Sequence, residues 1–354
     1  MIASRPRPTP LLLFFFLFLL APASLWAQAA DSQVLEEALR RVRQVPSDTI
    51  EYDYEMTARV RLIVFWAGKD NVGGGYVRTG HSPGEQGAER VQVLFGSDPA
   101  KAPRAINRWG AGTEVFRRRL NSKDDAPAYS AFFGFMKSSK GKSASEMQGE
   151  LAKESSGGEH LFSAILSRVD SGHAISLVVP LQSNVDYNLH QLDEAQAYVF
   201  DEFLSSRQPV KKIPSAEQCP RNAGFLGTVA ELIDAALADR HTPVCLCYVY
   251  DAQVHTLTLR SVTPLSKLTL RTHGARAAKD PAAEQHFSGL LEAEFLSESK
   301  LSGKRSNFTL VLGTSGNLRG IPVQIRYQPN WWFQVVLNLC PSASPSPANE
   351  VAAR

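Results

Sequence analysis

The chain has 354 residues, with 38 Lys and Arg against 35 Asp and Glu. Its first 29 residues read as a leader, and once Arg5 and Arg7 leave with it the balance is 36 basic to 35 acidic residues, which gives no electrostatic case for a nucleic-acid partner. This length fills one large or two ordinary domains. No stretch beyond the leader is long and apolar enough to be a transmembrane helix.

Arg5 and Arg7 form a positive start, Leu11–Leu20 is an unbroken apolar run, and Ala27-Gln28-Ala29 matches a small-residue cleavage site. The run is about half of the ~20 residues that span a bilayer, so a cleaved signal peptide is expected rather than an anchor. The mature chain then starts near Ala30, with Ala23 as the alternative cleavage residue, and the protein is expected to be periplasmic or extracellular. The absence of a cysteine at the cleavage point argues against a lipid-anchored terminus.

Asp31–Val45 reads as a helix, because Val34, Leu35, Ala38, Leu39 and Val42 recur at helical spacing and Pro46 stops the pattern. The stretch that organises the chain follows. From Ile50 to Trp66 every even position is apolar, and the odd positions are polar up to Arg61, an alternation that belongs to a strand with one dry face. Seventeen residues would extend ~55 Å at about 3.3 Å each, so a strand of this length must curve, bulge or cross a barrel-like sheet.

A turn is expected at Ala67–Asn71, then short strands at Tyr76–Thr79 and Arg90–Phe95 and a bulged one at Ile106–Arg119. Between Asn121 and Glu159 the pattern collapses. This region is predicted to be a flexible insertion, with Tyr129, Phe132, Phe133 and Met136 on one face of a short helix as an aromatic tip. Strands return at Leu161–Val169 and Ala174–Leu181. Helices follow at Asn188–Ser206 and Ala223–Ala238, with a linker from Pro209 to Pro220 between them. The remainder is strand-rich: Val244–Tyr250, Val254–Val262, Lys267–Thr272, and a meander of Asn307–Leu312, Leu318–Tyr327 and Trp331–Leu339. The tail, 341–354, has nothing to bury and is expected to be disordered.

Few chemical motifs survive inspection. Gly80-His81-Ser82-Pro83-Gly84 fits the nucleophile-elbow spacing, but Pro83 lacks the N–H that would help form an oxyanion hole. Gly141-Lys142-Ser143 resembles the end of a phosphate-binding loop, yet Met136 stands where the first glycine belongs. No two histidines share metal-binding spacing, and no cofactor is expected. Arg117-Arg118-Arg119 with Lys137, Lys140 and Lys142, near Phe132, Phe133 and Phe135, suggests either a solvated strand end or a contact with an anionic membrane.

The four cysteines are Cys219, Cys245, Cys247 and Cys340. On a strand, Cys245 and Cys247 stand too far apart to bridge each other, so any disulfides would involve Cys219 and Cys340; buried thiols are the other possibility.

Two segments, GGGYVR (Gly73–Arg78) and GNLRGIPVQIRYQ (Gly316–Gln328), resemble the opening and closing strands of a group of uncharacterised exported bacterial proteins. Those are similar to lipoprotein carriers, and the resemblance implies an antiparallel sheet curved into a half-barrel around helices; it places no functional residue. The expected fold is thus α+β: one domain over 30–340, a long curved antiparallel sheet packed against a few helices. Such a concavity suits a lipid, an acyl chain or an apolar segment of an envelope protein, with Tyr52, Tyr54, Met56, Val60, Phe132 and Phe133 as its apolar wall. A non-enzymatic binding role is therefore expected. The alternatives are an extracytoplasmic hydrolase assembled from distant residues and an outer-membrane barrel, the latter disfavoured by two mid-chain amphipathic helices.

Overall fold

A computed structural model describes residues 23–62, 65–83, 87–103, 106–118, 126–137, 163–170, 173–181, 185, 187–214, 224–238, 243–273, 282–330 and 332–341. Helix α1 (Ala23–Arg43) leads into seven strands: β1 (Ile50–Leu62), β2 (Phe65–His81), β3 (Ala88–Ser97), β4 (Asn107–Arg117), β5 (Ala128–Lys137), β6 (Ser163–Val169) and β7 (His173–Pro180). Helix α2 (Leu192–Ser205), the short β8 (Lys211–Pro214) and helix α3 (Phe225–Leu237) follow. The second run of strands is β9 (Val244–Tyr250), β10 (Gln253–Thr272), β11 (Ala283–Ser299), β12 (Arg305–Gly313), β13 (Pro322–Asn330) and β14 (Phe333–Leu339).

All fourteen strands form one sheet in the order β8-β7-β6-β5-β4-β3-β2-β1-β14-β13-β12-β11-β10-β9. It is two antiparallel meanders joined where the first strand meets the last, with Tyr54 opposite Leu339 and Met56 opposite Leu337. The expected α+β architecture, a long curved antiparallel sheet with a few helices, is what the molecule has.

Nine strands separate β5 from β9 in that order. A flat sheet at about 4.8 Å per strand would hold them ~48 Å apart. Yet the rings of Phe132 on β5 and Tyr250 on β9 lie 5.3 Å apart, edge to face, and Val249 packs with Val169 and Ala174. The sheet therefore rolls round until its last strand overlaps the inner face of β5 and β6. Among the described residues no ladder between β8 and β9 closes it.

The helices take opposite sides of the roll. On α1, Leu35, Ala38, Leu39 and Val42 are buried against Trp109, Ala111, Tyr129, Ala131, Phe133 and Leu166, with α2 adding Leu192, Ala195, Val199 and Phe203. Burial of Leu35, Leu39 and Val42, at roughly 1.5–3 kcal/mol each, outweighs the Glu37–Arg40 and Glu37–Arg41 ion pairs of α1, at about 0.3–0.5 each. The alternate residues of β4 point the other way, Gly112 against Phe132 and Glu114 and Phe116 against the start of α3. Leu232, Ile233, Ala235 and Ala236 of α3 then pack on Leu257, Leu259, Ala293, Phe295, Leu310 and Leu312.

Several boundaries differ from expectation. The Ile50–Trp66 stretch is not one strand: β1 ends at Leu62, and Trp66 belongs to β2, opposite Arg61. Nor does the chain turn at 67–71. Those residues lie inside β2, where the register jumps between Met56 and Ala58 and Asn71 sits at φ 52, so turn-forming residues serve as a bulge. Ala128–Lys137 is a core strand rather than a helical tip in an insertion. Tyr129, Ala131, Phe133 and Phe135 alternate toward α1 and are buried, while Phe132 faces inward. The rest of the expected insertion lies largely outside the described residues.

The expected pair 254–262 and 267–272 is the single strand β10. Beyond Leu259 it pairs on one side only, with β11, so the missing N–H of Pro264 falls where a ladder tolerates it. Strand β11 was not expected at all. Its Leu290 and Leu291 point to opposite faces, and Leu290 and Ala293 are both buried, which erases the alternation. The linker after Pro209 contains β8, and Gly316–Leu318 is a 3₁₀ turn before β13.

Cys247 is disulfide-bonded, whereas Cys245 and Cys340 are thiols, which corrects the expectation that any bridging would engage Cys340. Cys219 lies outside the described residues. Cys245 is exposed and Cys340 buried, so a maleimide should modify Cys245 within minutes in native buffer and reach Cys340 only on unfolding. Mass mapping of the labelled peptides checks this.

Candidate functional site: the concave face and the helix it holds

Alternation carries Tyr52, Val77, Val93 and Gly112 along one row of the inner wall, and Met56, Leu337, Ile325, Leu310 and Ala293 along another. These residues make the concave face apolar. Its occupant is α3, which touches β4 on one side of the roll and β9, β10 and β11 on the other.

Two polar devices seat that helix. The first is Glu114, fully buried on β4, whose carboxylate accepts the N–H of Leu226 at 3.0 Å and of Gly227 at 2.9 Å. Helix α3 begins at Gly224 with no side-chain cap, so these N–H groups lack intrahelical partners and a carboxylate from another strand supplies the acceptor. The approach needs glycine. A Cβ on Gly224 would clash with both Glu114 oxygens, and one on Gly227 would stand 2.9 Å from Oε1. Burial pushes the Glu114 carboxyl up to about 7, against the opposing pull of the two N–H donors.

The second device is Arg118, which donates to Glu89 of the β3 strand at 3.0 Å and to both oxygens of Asp234 on α3 at 2.7 and 2.8 Å. These side chains are about one-third exposed, so solvent screens the fork and it orients more than it stabilises.

At the far side of the cavity Tyr248 stacks on His255 with ring centroids 5.1 Å apart, and its hydroxyl lies 2.7 Å from Ser297 Oγ. Burial lowers the His255 pKa and raises that of Tyr248 to about 12, so both are neutral at pH 7. They form a polar seam in the apolar wall rather than a proton relay.

Of the expected wall residues, the structure brings Tyr52, Tyr54 and Met56 together. Tyr54 is 1% exposed, meets Phe95 edge to face and donates its hydroxyl to Pro322 O at 2.7 Å. Phe132 shares the inner face but lies across the roll against Tyr250. Phe133 belongs to the opposite face, beside Trp109, and Val60 sits exposed at the end of β1. The basic–aromatic patch dissolves likewise, because Phe133 and Phe135 are buried and Arg118 is spent on Glu89 and Asp234. Arg119, Lys140 and Lys142 lie outside the described residues.

Ser82 follows the last residue of β2, with its N–H given to Ala88 O at 2.7 Å. Neighbouring His81 pairs through Nδ1 with Asp48 Oδ2 at 2.6 Å, which raises the histidine pKa and lowers that of the aspartate, but the imidazole is exposed and Ser82 Oγ is buried without a partner. Serine and histidine point apart, as adjacent residues at a strand end do, and no nucleophile–base contact exists there. Among the described residues, no group of three His, Cys, Asp or Glu side chains is placed to hold a metal ion. A second depression, about 340 Å³ and lined by Leu39, Arg40, Arg43 and Leu204, lies outside the roll between α1 and α2 and is open to solvent.

Sequence reasoning missed Glu114, Gly224, Gly227 and the Arg118–Asp234 pair. One signal was present: the most apolar helix among the described residues begins at a glycine, with no serine, threonine, aspartate or asparagine to cap it. Such a start implies an acceptor brought from elsewhere, though not which one.

Fold and site together define an open, rolled antiparallel sheet that holds a helix in its concavity. The chain is similar to a solved beta-barrel-like protein of domain of unknown function DUF1849 from Brucella abortus, at 10% identity and a TM-score of 0.41 over 84% of this chain and 97% of that one. No family model matches the sequence, and no curated protein does. Among the described residues no helix is long and apolar enough to cross a membrane.

Proposed function

We propose that this is an exported, non-enzymatic protein that binds an apolar molecule, a lipid or acyl chain, between α3 and the inner wall of the rolled sheet. One observation carries the reading: the concave face is apolar along its length, yet its occupant is seated by a buried carboxylate and an ion-pair fork. Withdrawing α3 would bare Leu257, Leu259, Ala293, Phe295, Leu310 and Leu312 at once, a surface an alkyl chain can cover in its place. Export is supported by the leader sequence and by the disulfide at Cys247, a bond that oxidising compartments preserve. An apolar segment of an envelope protein is the other ligand of suitable chemistry.

Native mass spectrometry after detergent-free purification is expected to show an adduct of lipid mass, and added fatty acid or phospholipid is expected to raise the thermal midpoint. A protein that carries no adduct and gains nothing from either additive would sink the carrier reading. The hydrolase alternative rests on Ser82, and a buried serine followed by proline gives it little support.

A further inference from the structure

In an antiparallel meander alternate turns fall at the same end of the sheet. The β1–β2, β3–β4, β9–β10, β11–β12 and β13–β14 connections thus share one rim of the roll. Ten large hydrophobic side chains are exposed among the described residues, and seven of them stand at this rim, so their placement is not scatter. Trp66, Ile106, Tyr250, Leu301, Tyr327 and Trp332 come from five different turns, with Val60 beside Trp66. Leu301 is 79% exposed at the tip of Lys300-Leu301-Ser302-Gly303-Lys304, and Trp332 is 46% exposed between β13 and β14. The Arg61 N–H donates to Trp332 O at 2.8 Å, which ties two of the turns together.

The same rim is cationic. Arg59, Arg61, Lys69, Lys101, Lys304 and Arg305 lie on it or just behind it, as does Lys300, against Asp70, Asp98, Asp251 and Glu298. Single apolar side chains spread round a rim and separated by lysine and arginine do not make the continuous apolar centre of a protein–protein interface, which needs roughly 800 Å² per partner. Tryptophan, tyrosine and leucine beside cations are instead what a bilayer interface takes up: rings and alkyl groups enter at headgroup depth while the cations meet anionic phosphates.

We infer that this rim docks on the surface of an anionic lipid bilayer, with Trp66, Leu301 and Trp332 entering the interface. The inference stands apart from the carrier reading, since a docking rim needs no ligand in the concavity.

The test is co-sedimentation of the full mature chain with phosphatidylcholine vesicles and with vesicles of phosphatidylcholine and phosphatidylglycerol at about three to one. Binding is expected only to the anionic vesicles, weakening as salt rises. Leu301→Ser and Trp332→Ser are each expected to lower partitioning about tenfold. Arg61→Gln with Lys304→Gln is expected to lower it about thirtyfold. Ile50→Ser, at the opposite end of β1 and equally open to solvent, should leave binding unchanged. The proposal is overturned if the wild-type chain stays in the supernatant of anionic vesicles, or if Ile50→Ser weakens binding as much as the rim variants do. A rim-dependent dimer in solution without vesicle binding would overturn it in favour of a protein partner.

Discussion

Gly75→Val is expected to unfold the protein or to lower its stability by at least about 3 kcal/mol. Strand β2 passes Gly73, Gly74 and Gly75 between β1 and β3 at a place where neighbouring backbone closes on it from both sides. A Cβ on Gly75 would stand 1.7 Å from the Leu94 carbonyl oxygen and 2.9 Å from Phe95 Cα. One on Gly73 would stand 2.1 Å from Gly96 O, and one on Gly74 2.4 Å from Tyr54 O. These obstacles are backbone atoms of paired strands, not the ends of flexible side chains, so relief requires β1 or β3 to move. Tyr54 and Phe95, which make the edge-to-face contact in the central core, would move with them. Against a total stability of about 5–15 kcal/mol the loss is large. Gly110→Ala on β4 is the control, because its Cβ would meet nothing nearer than Phe133 O at 3.6 Å. Alanine there is expected to be neutral or stabilising within about 1 kcal/mol, through lower chain entropy in the unfolded state. Urea unfolding of both variants, with an unchanged denaturant slope, checks the pair.

How much of this was legible in the sequence depends on what each residue was doing. The alternation of β1 could be read because one of its faces is dry and the other wet or polar along most of its length. The same logic failed for β11, where Leu290 and Leu291 are adjacent and face opposite sides, so neither period two nor period 3.6 fits. Lys69-Asp70-Asn71 does have turn chemistry, but spends it on a bulge: Thr57 Oγ1 donates to Asp70 Oδ1 at 2.9 Å, and Asn71 takes the positive φ. Local sequence cannot distinguish a bulge inside a strand from a reversal between strands. In Ala128–Lys137, Tyr129, Phe132, Phe133 and Met136 fit a helical spacing, while the segment is a strand whose inner face meets Tyr250 through Phe132 and whose outer face meets α1 through Tyr129, Phe133 and Phe135. The flanking polar sequence tipped the reading the wrong way.

The site was less legible than the fold, for a simple reason. Glu114 and Gly224 are 110 positions apart, and the signals they send are individually bland: one carboxylate on a strand, one glycine before a helix. Their relation exists only once the sheet has rolled. Tyr52, Tyr54 and Met56 fall in one cluster because strand parity is local, whereas Phe133 falls in another, because the direction in which a strand presents its faces depends on the whole roll.

The stability of the wild-type protein is expected to fall by about 3 kcal/mol between pH 4.5 and pH 8 relative to that of Glu114→Gln. The Glu114 carboxyl titrates at about 7 when folded, with burial as the main cause, and near 4.3 in the unfolded chain. Below pH ~4.3 both states hold the proton and the contribution is fully present. From there to about pH 7 the folded state keeps a proton that the unfolded state has lost, so stability drops by about 1.4 kcal/mol per pH unit and then levels off. Glutamine has no such proton, and the difference between the two pH profiles isolates this group from every other. Glutamine, like the protonated carboxyl, offers one carbonyl oxygen to the two N–H donors, so the two curves should start close together at acidic pH and separate as pH rises. The experiment decides between two opposing effects. If burial wins, stability declines with pH as described. If the Leu226 and Gly227 N–H groups at the positive end of α3 win, the carboxylate is favoured and the slope reverses. The first outcome has a direct consequence for the concave face: hydrogen exchange of the first turn of α3 should quicken above pH 7, because an ionised Glu114 seats the helix against the cost of a buried charge. A slope near zero in both proteins would mean that Glu114 is solvated in solution and that α3 is held by its apolar contacts and the Arg118 fork alone.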